Sequence, residues 1–591
     1  VSTPKPLSAA SLASPLRSLL AGQVPEDTVF PFPEIPQEER ETISAFLESF
    51  RGFARGHIDS ARIEREHQIS KDVMEGLAQL GVFGMMIPEA YGGYGFSSSA
   101  YCRVMEESGT LDASLGILIG GHQSIGLKAL ILYGSEEQKR KWLPKLASGE
   151  MIAAFALTEP EAGSDAASIK TTADYDEATD TFLLNGNKHW ISNGGFAEFF
   201  TVFAKDVKLA AKDEHRRITA FAVTKDLGGV VPGKEEHKLG LKGSSTVPIE
   251  LQNVRVPAFN VLGQRGQGFK IAVEVLNNGR TSLAAGCVGG SKAMIRLAAE
   301  HATQRRQFGT RIADFEMIRG KFARMVTNTY ALESMVYLTS GLIDRGLPDY
   351  ALEGACCKVF GTEAVWQTIN DALQIAGGNG FMEEYPYERA LRDSRINMIF
   401  EGTNEILRVL IALSGMRDVG EDLKEVGKAL KAPLSSLGIL SDYAARKIRG
   451  YVTPGKLTRP APELAAEAEI VSRYAGAASN ILERVLRKHG KAVIEREYQQ
   501  ERLANIVIDL YASLAVLSRA TAAVASRGSE KAADEVGLAR AFIQAAKYRI
   551  VGQLKDMDRN VGDPEQGRDA LHTRISETAY SRLAYAFDYW S

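Results

Sequence analysis

A mainly helical α+β fold, with its strands confined to one middle block, is what the sequence of 591 residues predicts. Two observations carry this expectation. Between residues 153 and 262 the chain changes character: Phe199-Phe200-Thr201-Val202-Phe203 and Ile218-Thr219-Ala220-Phe221-Ala222-Val223 are aromatic and β-branched runs of the kind strands prefer. On either side the apolar residues recur at helical spacing, as with Leu503, Ile506, Leu510, Leu514 and Leu517 at steps of three and four. The order is helices, a small β block, helices, a linker and more helices, with no short-period repeat.

Residues 1–25 are rich in Ser, Ala and Leu, carry Lys5 and Arg17, and contain no acid. They resemble the end of an organellar transit peptide, or form an ordinary flexible N-terminus. The chain begins at Val1 rather than Met, as a processed chain does. After Phe30-Pro31-Phe32-Pro33-Glu34, residues 37–150 read as helices. Leu77, Leu80, Val82 and Phe83 fall on one stripe, and the turn-rich Ile87-Pro88-Glu89-Ala90-Tyr91-Gly92-Gly93 ends it. Within the β block, Phe182-Leu183-Leu184-Asn185-Gly186 predicts a strand running into an Asn-Gly hairpin turn. Long helical segments run from Gly266 to about Gly415, residues 416–460 mix Gly, Pro, Leu and Lys, and residues 461–591 are helical again.

Apolar residues make up 45% of the chain and charged residues 24%, a globular balance that excludes a disordered or fibrous protein. Lys plus Arg number 70 against 73 Asp plus Glu, a net charge of -3, so no general nucleic-acid binding is expected. No apolar run approaches the ~20 residues of a membrane span, and the chain is expected to be soluble or at most to lie on a membrane. Cys102, Cys287, Cys356 and Cys357 form no CxxC pair and read as small buried hydrophobes in a reducing compartment. No metal site is expected.

Several segments have the residue types of a binding site. Phe155-Ala156-Leu157-Thr158-Glu159-Pro160-Glu161-Ala162-Gly163-Ser164-Asp165 is a loop of small and hydroxyl residues whose N–H groups and oxygens can approach a polar ring or phosphate; such residues also make ordinary turns. Lys188-His189-Trp190-Ile191-Ser192-Asn193-Gly194-Gly195, taken alone, reads as a strand end with a core Trp. Arg305-Arg306-Gln307-Phe308-Gly309 sets two cations and an aromatic at a chain break. Gln374-Ile375-Ala376-Gly377-Gly378-Asn379-Gly380 is a Gly-rich turn after a helix, without the spacing of a Rossmann fingerprint. Phe400-Glu401-Gly402-Thr403-Asn404-Glu405-Ile406-Leu407-Arg408 is the sharpest signal: a carboxylate after Met398-Ile399-Phe400, just before a Thr suited to cap a helix. Burial there raises a carboxyl pKa toward that of a useful base; a helix-capping acid is the alternative.

Together these segments resemble the acyl-CoA dehydrogenase flavoprotein family from about Pro31 to Gly415. Six of them match in order: IPEAYGG, LTEPEAGSDAAS, KHWISNGG, LGLKGSST, LNNGR and IFEGTNEILR. The C-terminal extension resembles the very-long-chain subgroup and its relative that assists respiratory complex I assembly. The resemblance implies an N-terminal helical domain (34–152), a middle β-barrel domain (153–265) and a C-terminal helical bundle (266–415). To these it adds an N-terminal extension (1–33), a basic amphipathic linker (416–460) and an extra C-terminal helical domain (461–591).

The resemblance further implies FAD as cofactor. Phe155, Leu157, Thr158, Gly163, Ser164, Trp190, Ile191 and Ser192 would line the isoalloxazine ring. Arg305 would reach the pyrophosphate beside Phe308, since a guanidinium fork suits phosphate oxygens. Gln374, Ile375, Ala376, Gly377 and Gly378 would meet FAD across a subunit boundary, and Thr403, Asn404 and Glu405 would complete its site. Family members often have Gln seven residues after the Phe-Gly pair, where this chain has Glu316; a carboxylate would repel the phosphates, so that contact is not expected. Glu401 matches the catalytic base of α,β-dehydrogenation of an acyl-CoA thioester, in which the β-hydrogen leaves as hydride. The base's own backbone N–H would steady the thioester carbonyl oxygen. In other members the base sits at the position of Gly279, which has no side chain, so Glu401 is the one candidate. Ser164, Asn277, Asn278, Gly279, Arg280, Phe400, Glu401 and Gly402 would contact substrate.

Gly116 and Gly120, four apart on one helix face, either open the floor of a deep acyl slot or allow close helix packing. Residues 426–449 hold Lys428, Lys431, Arg446, Lys447 and Arg449 against Asp442, with Leu and Ile interleaved, the composition of an interfacial membrane segment or of a simple linker. The expected enzyme is a homodimeric, long- or very-long-chain acyl-CoA dehydrogenase of fatty acid β-oxidation. It would pass electrons to electron-transferring flavoprotein from the matrix side of the mitochondrial inner membrane, or in the cytoplasm of a bacterium. The alternatives are a complex I assembly factor on the same fold and an acyl-CoA oxidase. The oxidase lacks support because LTEPEAGSD stands where oxidases carry a TELGHG-like segment.

Overall fold

The computed structural model describes residues 14–210, 213–431, 457–562, 567–585 and 587. The chain divides into two compact units, one of residues 34–346 and 357–404, the other of residues 1–33, 347–356 and 405–591.

In the first unit, helices from Gln37–His57 to Glu136–Ala147 precede the strands. The predicted barrel takes the form of one eight-stranded mixed sheet. Its strands are β1 (Ala153–Ala156), β2 (Thr172–Asp176), β3 (Thr181–Ser192), β4 (Phe199–Asp206), β5 (Ile218–Thr224), β6 (Val230–Pro232), β7 (Thr246–Pro257) and β8 (Val261–Leu262). The order is β6-β7-β3-β2-β4-β5-β8, with β1 parallel to β4. The unbroken apolar run of β4 follows from burial on both faces. Phe199 and Phe203 join Trp142, Leu143, Ile271 and Val275 in one core, while Phe200 and Val202 join Phe182, Phe221 and Val256 in another. The long helices Gly268–Gln304 and Glu316–Asp344 follow. Gly109 and Gly289 let Gly268–Gln304 close onto Ser98–Leu111, since a Cβ at either would collide with the opposing backbone.

Two local expectations fail. Asn185-Gly186 is no turn. β3 runs straight through it, pairing Thr172 with Asn185 and Gly186 with Leu251 across a register shift. The glycine is needed because Thr171 lies against it where a Cβ would stand, and the Asn185 amide oxygen accepts from the Asn253 N–H at 2.8 Å. The β2–β3 turn lies instead between the paired Asp176 and Thr181. Likewise Leu77 and Phe83 do not share a helix. The Lys71–Gln79 helix stops at Leu80, Gly81 turns left-handed at φ 74°, and Val82–Gly84 is a separate 3₁₀ turn.

In the second unit, helices Ala465–His489, Glu497–Arg527 and Ala533–Gly562 pack on one another. The predicted stripe Leu503, Ile506, Leu510, Leu514 and Leu517 is buried. The N-terminus departs from the expectation of a flexible segment, because residues 14–29 are docked on the helices of this unit. Leu16, Leu19 and Leu20 of the helix Pro15–Leu20 are at most 1% exposed and pack on the Ala465–His489 and Glu497–Arg527 helices. Ser14 caps that helix and donates to Glu353 Oε1 at 2.5 Å, which also accepts from the Leu16 N–H. Contrary to the sequence reading, two stretches, Ala113–Tyr133 and Glu497–Arg527, are long and apolar enough to cross a membrane; both are mostly buried inside the protein. Most of the basic linker segment, 432–456, lies outside the described residues.

Candidate active site

The IFEGTNEILR segment is a turn held open. A 3₁₀ turn over Arg395–Met398 leads to Phe400, whose N–H bonds to the Ile396 carbonyl, and a helix begins at Asn404. Between them Glu401 and Gly402 both have left-handed backbones, φ 56° and 90°. For a side chain larger than Asn this is strained, and such strain persists only where the surroundings enforce it. The turn aims the Glu401 carboxyl inward. Its Oε2 is sealed from solvent with no hydrogen-bond partner, and burial pushes its pKa up to about 7 against the pull of Arg280 and Lys358.

The LNNGR segment lies in the Gly268–Gln304 helix and faces this carboxyl. A Cβ on Gly279 would stand 2.9 Å from Glu401 Oε2 and 3.2 Å from Oε1. Arg280 is buried at 6% exposure; its Nε donates to the Glu401 carbonyl at 3.3 Å and its Nη1 to Asn277 Oδ1 at 2.6 Å. Burial draws its guanidinium down to about 10. Asn277 therefore orients Arg280, and the Asn278 amide is tied to its own helix at the Glu274 carbonyl. Asn278, Thr281 and Ser282 line a narrow cavity with Met86, Tyr101 and Cys102. Gly116 and Gly120 are not there for close packing: a Cβ at either would meet only ordinary contacts, 3.6 Å from Ser108 Oγ and 3.7 Å from Met105 Cε.

The KHWISNGG segment owes its shape to a bulge. The β3–β7 register shifts between Lys188 and Ile191, and Trp190 takes φ 55°. A bulge re-aims side chains, and Trp190 stands 59% exposed, its ring tilted against that of His189 with centroids 4.5 Å apart, so it is not a core Trp. Lys188 is fully buried; it donates to Glu159 Oε1 at 2.7 Å, to the Phe203 carbonyl at 2.7 Å and to the Leu157 carbonyl at 3.2 Å. Together with the His189 N–H on the Thr158 carbonyl at 2.9 Å, this fixes the 157–159 edge beside the bulge. Thr158 and Ser192 are half-buried, and Gly163 and Ser164 are exposed. Leu157 and Ile191 are buried in the cores, and Phe155 packs on Phe203, so these three build the wall rather than line a surface.

Arg305 ends the Gly268–Gln304 helix and is exposed, and Phe308 at the tip of the following hairpin is 95% exposed. Ile375 and Ala376 are buried at the end of the Ala351–Ala376 helix, while Gln374, Gly377 and Gly378 are exposed, with open space at both glycines. Thr403 is half-buried, Glu405 exposed. The Asn404 side chain, expected at the cofactor, bonds inside the protein: its amide donates to Thr362 Oγ1 at 3.1 Å and Glu363 Oε1 at 3.0 Å, and its oxygen accepts from Lys358 at 2.8 Å. Sequence reasoning missed Lys358, whose one signal is a lone cation within Ala355-Cys356-Cys357-Lys358-Val359-Phe360.

Known proteins match this chain over most of its length. Residues 40–150, 154–254 and 266–416 match the N-terminal, middle and C-terminal domains of acyl-CoA dehydrogenase, and residues 462–581 match the ACAD9/ACADV C-terminal domain. The mitochondrial very long-chain specific acyl-CoA dehydrogenase of Homo sapiens is 42% identical over 541 residues, 90% of this chain and 82% of that one. The crystal structure of an acyl-CoA dehydrogenase complexed with FAD from Bacillus anthracis is similar with a TM-score of 0.79 and 32% identity, covering 97% of this chain and 96% of that one. A chain of the structure titled electron transferring flavoprotein of Acidaminococcus fermentans is similar with a TM-score of 0.60 and 32% identity, covering 64% of this chain and 98% of that one. With three domain matches in series and 42% identity over most of both chains, this chain belongs to the acyl-CoA dehydrogenase family.

Proposed function

We propose that this enzyme dehydrogenates long- and very-long-chain acyl-CoA thioesters to trans-2-enoyl-CoA, with FAD as cofactor and Glu401 as the base. The observation that carries the reading is the Glu401 carboxyl itself: its Oε2 is sealed from solvent without a hydrogen-bond partner, and burial pushes its pKa up to about 7. A base works best with its pKa near the operating pH.

The residues fit FAD. Trp190 presents a free aromatic surface, and Gly163, Gly377 and Gly378 leave open space where backbone can approach a ligand closely. Trp190, Thr158, Ser164 and Ser192 would hold the ring, Arg305 and Phe308 the pyrophosphate side, and Gln374 to Gly378 the FAD of a second subunit. When bound, FAD supplies a hydride acceptor for the β-hydrogen. Glu401 takes the α-proton onto its unpartnered Oε2. The Glu401 N–H makes no described hydrogen bond and is available to a thioester carbonyl oxygen; a fixed donor of that kind contributes ~3–4 kcal/mol to the transition state. Arg280, anchored by Asn277, holds the Glu401 carbonyl so that donor and carboxyl keep their aim.

Replacing Glu401 by Gln tests this. Turnover of palmitoyl-CoA should fall on the order of 10³-fold or more while the flavin spectrum stays; wild-type turnover in Glu401→Gln would refute the reading. The very-long-chain preference is supported by the human relative's name; in a slot that buries the tail each added methylene contributes ~0.8 kcal/mol. An optimum at C8 in a C8–C20 series would overturn it. Electron-transferring flavoprotein as acceptor, a homodimer, a mitochondrial location and inner-membrane contact through 426–449 belong to the same reading. The names of the relatives described above give the complex I assembly alternative no support.

A further inference from the structure

We propose that Lys358 is the positioning residue of the catalytic turn: its buried ammonium clamps the backbone that follows Glu401 and supplies one of two fixed positive charges facing the carboxyl. The inference rests on the role of Glu401 proposed above.

An ammonium group without water is costly unless hydrogen-bonded. Lys358 is fully buried in the Ala351–Ala376 helix, and its Nζ donates to the Gly402 carbonyl at 2.8 Å and to Asn404 Oδ1 at 2.8 Å. These two contacts bracket Thr403, between the second left-handed residue and the first turn of the next helix. The Asn404 amide extends the clamp to Thr362 and Glu363 on the same helix as Lys358. On the other side Arg280 holds the Glu401 carbonyl from the Gly268–Gln304 helix. The strained turn is thus fixed at both ends by buried cations from two helices.

The groups facing the carboxyl from each packed element are few. Arg280 and Lys358 both favour its ionised form. Tyr101, from the Ser98–Leu111 helix, is kept neutral by burial and donates to or accepts from Ser124 at 2.8 Å. Cys287 faces Lys358 and is likewise kept neutral by burial. Glu363 is reached only through Asn404.

The test uses the full FAD-loaded chain as wild type, Lys358→Met, Lys358→Arg and Glu401→Gln. The pH dependence of kcat/KM for palmitoyl-CoA is recorded together with the infrared band of the protonated Glu401 carboxyl, assigned by its loss in Glu401→Gln. In Lys358→Met the carboxyl should bind its proton about tenfold more tightly, moving both midpoints to higher pH, and kcat should fall more than KM rises. Lys358→Arg keeps the charge but not the clamp's shape, so its midpoints should stay with wild type while kcat falls. Wild-type midpoints in folded Lys358→Met overturn the proposal. If Lys358→Met does not fold, an upward midpoint in Lys358→Arg overturns it and an unmoved one supports it. Wild-type turnover in Glu401→Gln would instead overturn the base assignment beneath it.

Discussion

At the scale of single residues, Glu401 burdens the fold that holds it. Its carboxyl has an ordinary pKa of 4.5 in the unfolded chain and about 7 in the folded one. Below about 4.5 it is neutral in both states and costs nothing; above about 7 it is ionised in both, and the buried ion then destabilises the fold by about 3 kcal/mol. Glu401→Gln should therefore melt at a higher temperature than wild type above neutral pH, and the difference should vanish in acid; calorimetry across pH checks this. Gly279→Ala should behave differently. Its new Cβ meets two side chains rather than backbone, Glu401 Oε2 at 2.9 Å and Ile125 Cγ2 at 3.0 Å, each of which must give by a few tenths of an ångström. The fold should survive with a Tm near wild type while kcat falls about 10–100-fold, since a misplacement near 1 Å costs on that order. Glu401, Arg280 and Gly279 were legible because each lies in a short segment with a recognisable spelling. Lys358 and the fixing of Asn404 were not, because they arise from partners 44 and 46 residues apart that only the packing of the Ala351–Ala376 helix brings together.

At the scale of elements, the strand runs and the C-terminal helical stripe were readable from composition and period, because burial on one or two faces is written along the chain. Bulges and docked termini were not. Asn-Gly spells a hairpin in isolation, yet Thr171 and the paired β7 make it part of β3. The bulge at His189–Trp190 uses the same freedom to turn an aromatic outward. The helix Pro15–Leu20 is too short to be stable alone and owes its form to packing of Leu16, Leu19 and Leu20 on the C-terminal helices. Leu19→Ala should cost 2–5 kcal/mol locally, and limited proteolysis should then cut near residue 22 while the wild-type segment resists.

At the scale of the molecule, the order of helices, strands and helices was predictable, and the family matches follow the same order. Residues 426–449 carry five cations against one anion. Their deletion should abolish co-flotation with anionic liposomes while palmitoyl-CoA turnover in solution persists; unchanged flotation would remove this segment from the membrane reading. Sedimentation of the FAD-loaded enzyme should give twice the chain mass.

The contact between Gly279 and the Glu401 carboxyl has a consequence for how such enzymes change. The turn that carries Glu401 and the Gly268–Gln304 helix both bring a side-chain position to the same spot, so a carboxyl at 279 would crowd the one already there. A lineage that moves its acceptor from the turn to the helix passes through a form with two crowded carboxyls or with none. Enzymes of the two kinds therefore stand two substitutions apart, with a crowded or an empty site between them.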